Sequence, residues 1–592
     1  YQNQYGGGAP SSAFRTLDGD FSLSEQVNGQ DDQLVADYAT DESWGPRMDG
    51  REVRQWYSWD DVNGLLGQTT PWQAHPDNIE SFLQTGTRYS TDLSMAQGAE
   101  TYNYRVNLSN INMEGVMPYS QMDRYQFGFN GSVDLSEKLT ATAVARYTYD
   151  EARGRSGTGY GFAENAFAQF NTFGQRQLDL GEDSYMRDYA RPGRIQRGWN
   201  FAGIEGAQTG TFQYTDNPYV GRYENYQSDD SQRLFGKVQI NYDFQEDLGA
   251  SFLVTTDHRT ERRQERVAKI SSEESDFTED ILEVQEVNSE VKVDYATDLT
   301  ESIDFDGFAA SRVRWETFER NFGSTAGGLA SAQVYTLENS IGRPSVVDRF
   351  EQNAVYSVYG SANFGYNDLV YLTGTIRNDW SSTLPEDNNS YLYPSISTSF
   401  VFSGLEVFED QDILSFGKVR ASLARVGNDT DPYRLSTIYP GEPPLAGQPL
   451  LRLLRDLNNS ELEPEITTGV EFGTELEFFQ NRASLDVTYY RDVTENQILP
   501  LTVSPASGYE SALVNAGSIL NKGWEVQLGG TPVLTEDFQW DLSVNWSKND
   551  GEIQELREGT DTYVIGDGAF GPDVVAQVGQ QYGAIYGTAL VR

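Results

Sequence analysis

The chain has 592 residues, with 43 Lys and Arg against 89 Asp and Glu, a formal net charge of −46 at pH 7. It contains no cysteine, two histidines, 35 tyrosines and 56 glycines. The charge excludes a nucleic-acid partner, the missing thiol excludes thiolate metal centres, cysteine nucleophiles and disulfides, and the aromatic content argues against intrinsic disorder.

The chain opens on a polar, glycine-rich run, Gln2-Asn3-Gln4-Tyr5-Gly6-Gly7-Gly8, with no signal-peptide pattern. A chain starting at Tyr1 is processed or a fragment, so this says nothing about export. No stretch of about 18 apolar residues follows, which excludes a transmembrane helix. Period-2 alternation does follow. Leu93 and Met95 pass through a turn at Gln97–Glu100 to Tyr102, Tyr104, Val106 and Leu108. Tyr125, Phe127, Phe129, Gly131, Val133 and Leu135 then alternate with Gln126, Gly128, Asn130, Ser132 and Asp134. After Ser136-Glu137-Lys138 the pattern resumes on Leu139, Ala141, Ala143, Ala145, Tyr147 and Tyr149. It returns at Leu234, Gly236, Val238, Ile240, Tyr242 and Phe244, then at Leu248, Ala250, Phe252 and Val254. Tyr356 to Tyr366 form another such run, ending on an Asn367-Asp368 turn.

Each run is about 11 residues, the length a tilted strand needs to cross a bilayer. Some connections are turns of a few residues; others, such as 150–230, 256–290 and 426–460, are long and polar and are predicted to be loops. Tyr and Phe gather at strand ends, where an aromatic girdle would lie. This pattern predicts an all-β, antiparallel transmembrane barrel. A soluble sandwich or propeller is the alternative, but its strands average about 5–6 residues. The mean hydropathy of −0.57 fits a barrel, which shows lipid only every second residue.

Ordered blocks along the chain resemble the SusC/RagA family of TonB-dependent outer-membrane transporters of Bacteroidetes. Tyr5-Gly6-Gly7-Gly8 and Ser43-Trp44-Gly45-Pro46 with Asp49-Gly50 resemble the segment after the family's plug. Phe82, Gly86, Ser90–Ser94, Tyr104 and Gly115 resemble its first strands. Arg377-Asn378-Asp379-Trp380-Ser381-Ser382 followed by Tyr393-Pro394-Ser395-Ile396-Ser397 is similar to its Arg-x-Asp-x-Ser-Ser…Pro-Ser-x-Ser element, with Trp380 where glycine is common. Lys418–Ser422, Val426–Asp429, Leu462–Glu465 through Glu471, Phe478-Phe479, Asn481-Arg482, Tyr489-Tyr490, Asn496–Ile498, Asn515–Gly517 and Asn521–Glu525 continue the series.

The resemblance implies a barrel of the type with about 22 strands, of which the chain is expected to hold roughly two-thirds to four-fifths. It assigns residues 1–80 to a post-plug segment and barrel entry, and 81–592 to the barrel with long extracellular loops. It places the plug, the TonB box and the last strands outside the chain. It implies an outer-membrane importer of oligosaccharides or oligopeptides, not an enzyme, energised by TonB and working with a SusD-like lipoprotein lid. Membrane lipid is the other expected partner. The alternatives are a structural or adhesive barrel without energised transport, and a rim enzyme using His75 or His258.

Chemical motifs are few. Gly154-Arg155-Ser156-Gly157-Thr158-Gly159-Tyr160-Gly161 lacks the Gly-Lys-Ser/Thr of a phosphate loop and is expected to be a flexible extracellular loop. His75 and His258 are expected in solvated loops, without triad or metal partners. The acidic run from Glu273 to Glu286 and Asn428-Asp429-Thr430-Asp431 are weak divalent-cation candidates without EF-hand spacing; a solvated strand extension or loop and a turn before Pro432 are the simpler accounts. No other cofactor is implied. Tyr160, Phe162, Phe170, Phe173, Trp199 and Tyr223 could stack on sugar, anchor peptide, pack a loop or meet a lid, so no catalytic or substrate-binding residue is assigned. Charge is costly on a lipid face, so the acid excess is expected in lumen, loops and rims, disfavouring polyanionic cargo; a saline habitat would also account for it.

Overall fold

The computed structural model describes residues 3–8, 22–23, 33–60, 64, 66–155, 157, 159, 165–408, 413–557, 559–566 and 572–588. Among the described residues sixteen strands form one antiparallel sheet in which every neighbour is the next long strand in sequence. They are β1 (Thr87–Gly98), β2 (Tyr102–Glu114), β3 (Gln121–Ser136), β4 (Leu139–Arg155), β5 (Gln227–Asp243), β6 (Leu248–Val267), β7 (Asp276–Thr300) and β8 (Ile303–Ser324). The series continues with β9 (Ser345–Tyr366), β10 (Val370–Ser381), β11 (Ser390–Phe400), β12 (Leu414–Asn428), β13 (Glu465–Phe478), β14 (Ala483–Glu495), β15 (Ser518–Leu534) and β16 (Gln539–Glu555). β1 and β16 are the two edges of this sheet. Sixteen strands fall inside the range expected from a barrel of about 22.

Register carries the alternation from strand to strand. Phe127 lies opposite Leu108 and Tyr147, which lies opposite Leu234. Val238 lies opposite Ala143 and Val254, and Phe305 opposite Phe364, which lies opposite Leu372. Directly paired residues share a face, so these side chains form one apolar band, much of it exposed: Val238 is 53% exposed, Tyr356 53% and Trp546 53%. Such a band on a water-soluble sheet would be an aggregation surface; in a membrane it meets lipid. The opposite face carries Asn130, Ser132, Thr142, Gln239 and Asn241 and faces the lumen.

Connections differ between the two ends of the sheet. At one end strands are joined by turns of two to four residues, the exception being 401–413. The Asn367-Asp368 turn is one of these, and both residues are in the left-handed region (φ 52° and 55°), as a tight hairpin requires. At the other end the connections are longer, the largest being 156–226 and 429–464.

Two predicted loops differ from expectation. The 256–290 segment is a hairpin: β6 runs to Val267 and β7 starts at Asp276. His258 and most of the acidic run therefore sit on strands. Beyond the membrane both faces of a strand meet water, so the period-2 hydrophobic signal disappears while the backbone ladder continues. Opposite charges stabilise this extension, with Arg262 on Glu279 at 2.5 Å and Arg320 on Asp280 at 2.8 Å.

From residue 165 on, the connection between β4 and β5, expected as loop, is part of a packed unit rather than open coil. With α1 (Asn78–Phe82) just before the sheet, α2 (Ala166–Phe173), α3 (Gly203–Thr209) and α4 (Pro218–Tyr223) build a cap. The cap joins residues 33–83 to 165–223 around Trp56, Trp59, Trp72, Phe82, Phe170, Met186, Trp199, Phe201 and Tyr219. It is the largest apolar core among the described residues, because the barrel spends its own apolar side chains on lipid. The Gln84 amide bonds the Val116 carbonyl at 2.9 Å, and Asp216 accepts from the Ser272 amide at 2.6 Å. Both contacts place the cap on the end with the long connections.

Candidate functional site

The lumen face of β2–β6 reads as rows set by register. One row holds Arg124, Asp150, Ser231 and Glu261; the next Gln126, Thr148, Arg233 and Arg259; the third Gly128, Arg146, Phe235 and Asp257. A fourth holds Arg105, Asn130, Val144, Lys237 and Thr255. Arg124 pairs with Asp150 at 2.5 Å, Arg259 with Glu261 at 2.5 Å, and Arg233 with Asp257. Side chains from β3–β6 enclose a recess of about 490 Å³ lined by Arg124, Arg146, Arg233 and Arg259 with Gln126 and Phe235.

Further round the wall the same alternation presents Arg377 to Asp379 at 2.8 Å, with the Tyr393 hydroxyl donating to Asp379. Arg420 meets Asp486 at 2.8 Å. The Arg-x-Asp-x-Ser-Ser element therefore has a physical content. Arg377 and Asp379 face the lumen, Ser381 donates to Asp429, and the Ser382 hydroxyl accepts from the Ala354 amide at 2.9 Å where β9 and β10 part.

The predicted chemical motifs resolve as follows. Asp429 is held by Ser381 and Thr383, and no three His, Asp or Glu side chains converge on a cation position among the described residues. Along β7 successive carboxylates point to opposite faces, which is why Glu279 and Asp280 go to different arginines. His258 lies on the outward face of β6, not in a loop, with Nε2 3.3 Å from Thr260 Oγ1 and 3.6 Å from Glu283. Both partners use one ring nitrogen, so no relay through the imidazole forms. His75 sits in the cap, where its backbone amide bonds the Arg176 carbonyl at 2.7 Å.

Phe170 and Trp199 are buried in the cap core, and Phe173 and Tyr223 pack against it. These four pack the connection; Tyr160 and Phe162 lie outside the described residues. Much of the glycine-rich stretch is also outside them, but Gly154 and Arg155 end β4. Gly154 has φ +69°, and a Cβ there would lie 2.2 Å from the Tyr119 carbonyl oxygen. The sequence did not single out Arg105, Arg146 or Lys237. The available signal was their place at the polar positions of alternating runs, but gathering them into one patch requires the inter-strand register.

In the cap, burial pushes the Tyr219 phenol up to about 12 and raises those of Tyr38, Tyr185 and Tyr189. Burial lowers the Arg222 guanidinium to about 10; its Nε donates to the Pro118 carbonyl at 3.1 Å and its Nη2 to that of Gly154.

A family model described as "TonB dependent receptor-like, beta-barrel" matches residues 172–588. TonB-dependent receptor P26 of Formosa agariphila is 26% identical over 499 residues, covering 81% of this chain and 47% of that protein. TonB-dependent receptor SusC of Bacteroides thetaiotaomicron is 26% identical over 219 residues, 36% of this chain and 22% of that one. The solved RagAB peptide transporter superposes with a TM-score of 0.70 at 18% identity, over 85% of this chain and 55% of the other. That likeness shows the fold alone. The chain spans about half the length of the curated relatives it matches first, 47% and 55%.

Proposed function

The chain belongs to the TonB-dependent receptor β-barrel family of outer-membrane proteins, and from that premise we propose that the complete protein is an active importer of oligosaccharides or oligopeptides. One observation carries the reading: a polar, ion-paired wall backs a continuous apolar band. The band anchors the sheet in lipid, and the wall presents donors and acceptors to a solute crossing it. A barrel of this class is too wide for its own side chains to fill, so a plug must gate it.

The outer membrane holds no nucleotide supply, so the gate takes its energy from TonB, which spans the periplasm. A SusD-like lipoprotein at the long-connection end captures cargo and closes the mouth. The cap offers that partner a folded platform. In support, a relative in sequence is named TonB-dependent receptor SusC, and a neighbour in fold, RagAB, is a peptide transporter.

The test is uptake of labelled maltodextrins and of mixed peptides by cells carrying or lacking the gene, with and without an uncoupler. Gene-dependent uptake abolished by the uncoupler is expected. Passive conductance or none in a planar bilayer, with uptake indifferent to the gene, would instead assign a structural or adhesive barrel.

A further inference from the structure

We propose that the cationic strip on the lumen face of β2–β6 is a subsite for anionic groups, carboxylate or sulfate, carried by the imported oligomer. The proposal rests on the importer reading for the identity of the ligand as cargo. Over the four rows six cations, Arg105, Arg124, Arg146, Arg233, Lys237 and Arg259, face three carboxylates, Asp150, Asp257 and Glu261. Each carboxylate is committed, to Arg124, Arg233 and Arg259 respectively.

Among the described residues the side chains of Arg105, Arg146 and Lys237 make no ion pair or hydrogen bond. These three lie in two adjacent rows of the lumen face, so their charges add locally although the chain as a whole carries 89 acids against 43 bases. Remote acids do not cancel them, because a charge is screened beyond about 8 Å at physiological salt.

The geometry suits an extended polyanion. Arg105 and Lys237 lie in one row three strands apart, about 14 Å at the usual strand spacing. That is roughly four residues of extended peptide. Arg146 sits between them one row up, beside Gly128, whose missing side chain leaves its guanidinium open to the lumen. The paired arginines of the recess keep spare N–H donors, since a guanidinium has five. Gln126, Thr148 and Ser231 add neutral hydrogen-bonding groups, and Phe235 gives an apolar floor.

The experiment measures binding of three tetramers to the full-length, detergent-purified transporter: a heparin-type sulfated tetrasaccharide, tetragalacturonate and uncharged maltotetraose. The sulfated or the carboxylated probe, or both, is expected to bind at least about tenfold tighter than maltotetraose, with affinity falling as salt rises. Arg146→Gln and Lys237→Gln should each cost the charged probe about tenfold and leave maltotetraose unchanged. Arg262→Gln, on the outward face of the same sheet, should change none of them.

Equal affinity for charged and uncharged probes, or an equal loss in the Arg262→Gln control, overturns the proposal. Heat-shifted gel mobility verifies that each variant is folded. Uptake separates the two claims: charged-probe binding without import overturns the importer reading alone, and import without charge preference in binding overturns the subsite alone.

Discussion

Arg197 has 1% of its side chain exposed and meets Asp60 at 2.5 Å and Asp188 at 2.5 Å. Its Nη1 also donates to the Asp188 carbonyl at 2.9 Å. Asp60 is the buried partner, whereas Asp188 is 64% exposed and compensates the guanidinium only in part, so Asp60→Ala is expected to destabilise the cap by about 3 kcal/mol. Limited trypsin digestion should then cut within 165–225 at concentrations the parent resists. Titration supplies a second residue-level prediction. Tyr219, with a phenol lifted from 10.0 to about 12, contributes stability that is complete below pH 10 and lost as pH rises through 12. Arg222, lowered from 12.5 to about 10, has the opposite sign: the unfolded chain binds more protons between those values, so stability rises there. Five raised phenols, Tyr38, Tyr57, Tyr185, Tyr189 and Tyr219, outnumber the two lowered guanidiniums, Arg54 and Arg222, so the cap should open first as pH passes 10. Red-shifted tryptophan emission with an unchanged far-ultraviolet β signal would record it; emission constant to pH 12 would refute it. Residue type was legible in the sequence, but burial was not. Trp199 and Phe170 read equally well as ligand platforms or as core, and only the cap makes them core.

The runs at Leu93–Leu108, Tyr125–Tyr149, Leu234–Val254 and Tyr356–Tyr366 were legible as strands because lipid on one face and water on the other impose a two-residue period. The same physics predicts a directional asymmetry. Val238→Arg, at the centre of the apolar band of β5, should cost about 2–4 kcal/mol in denaturant unfolding from vesicles. Gln239→Arg, one residue on and facing the lumen, should stay within about 0.5 kcal/mol. Equal costs would mean that the two faces are misassigned. The hairpin of β6 and β7 was not legible, since its distal half carries charge on both faces and the period vanishes. The end of β4 is a further element-level test. Gly154→Ala meets the Tyr119 carbonyl oxygen at 2.2 Å in a left-handed conformation, so a loss above about 1 kcal/mol is expected. Arg222 should lose its hold on the Gly154 carbonyl with it, which hydrogen exchange at the 115–120 connection would register.

For the whole molecule, net charge proved a poor guide to local field. An acid excess of 46 was expected to disfavour polyanionic cargo, yet the recess between β3 and β6 is lined by four arginines. Charges within a Debye length decide what a bound group experiences, and the sum over the chain does not. The alternating runs by themselves determined the all-β class and, for the strands they cover, the lipid-facing side and the short turns, because these depend on neighbours within a few residues. The ordered blocks determined the family. Only the tertiary structure decided where the charges meet, that β6 and β7 project as a hairpin, and that residues 33–83 fold with 165–223 into a cap. These depend on inter-strand register and on contacts between segments more than a hundred residues apart, and a period read along one strand carries no information about either.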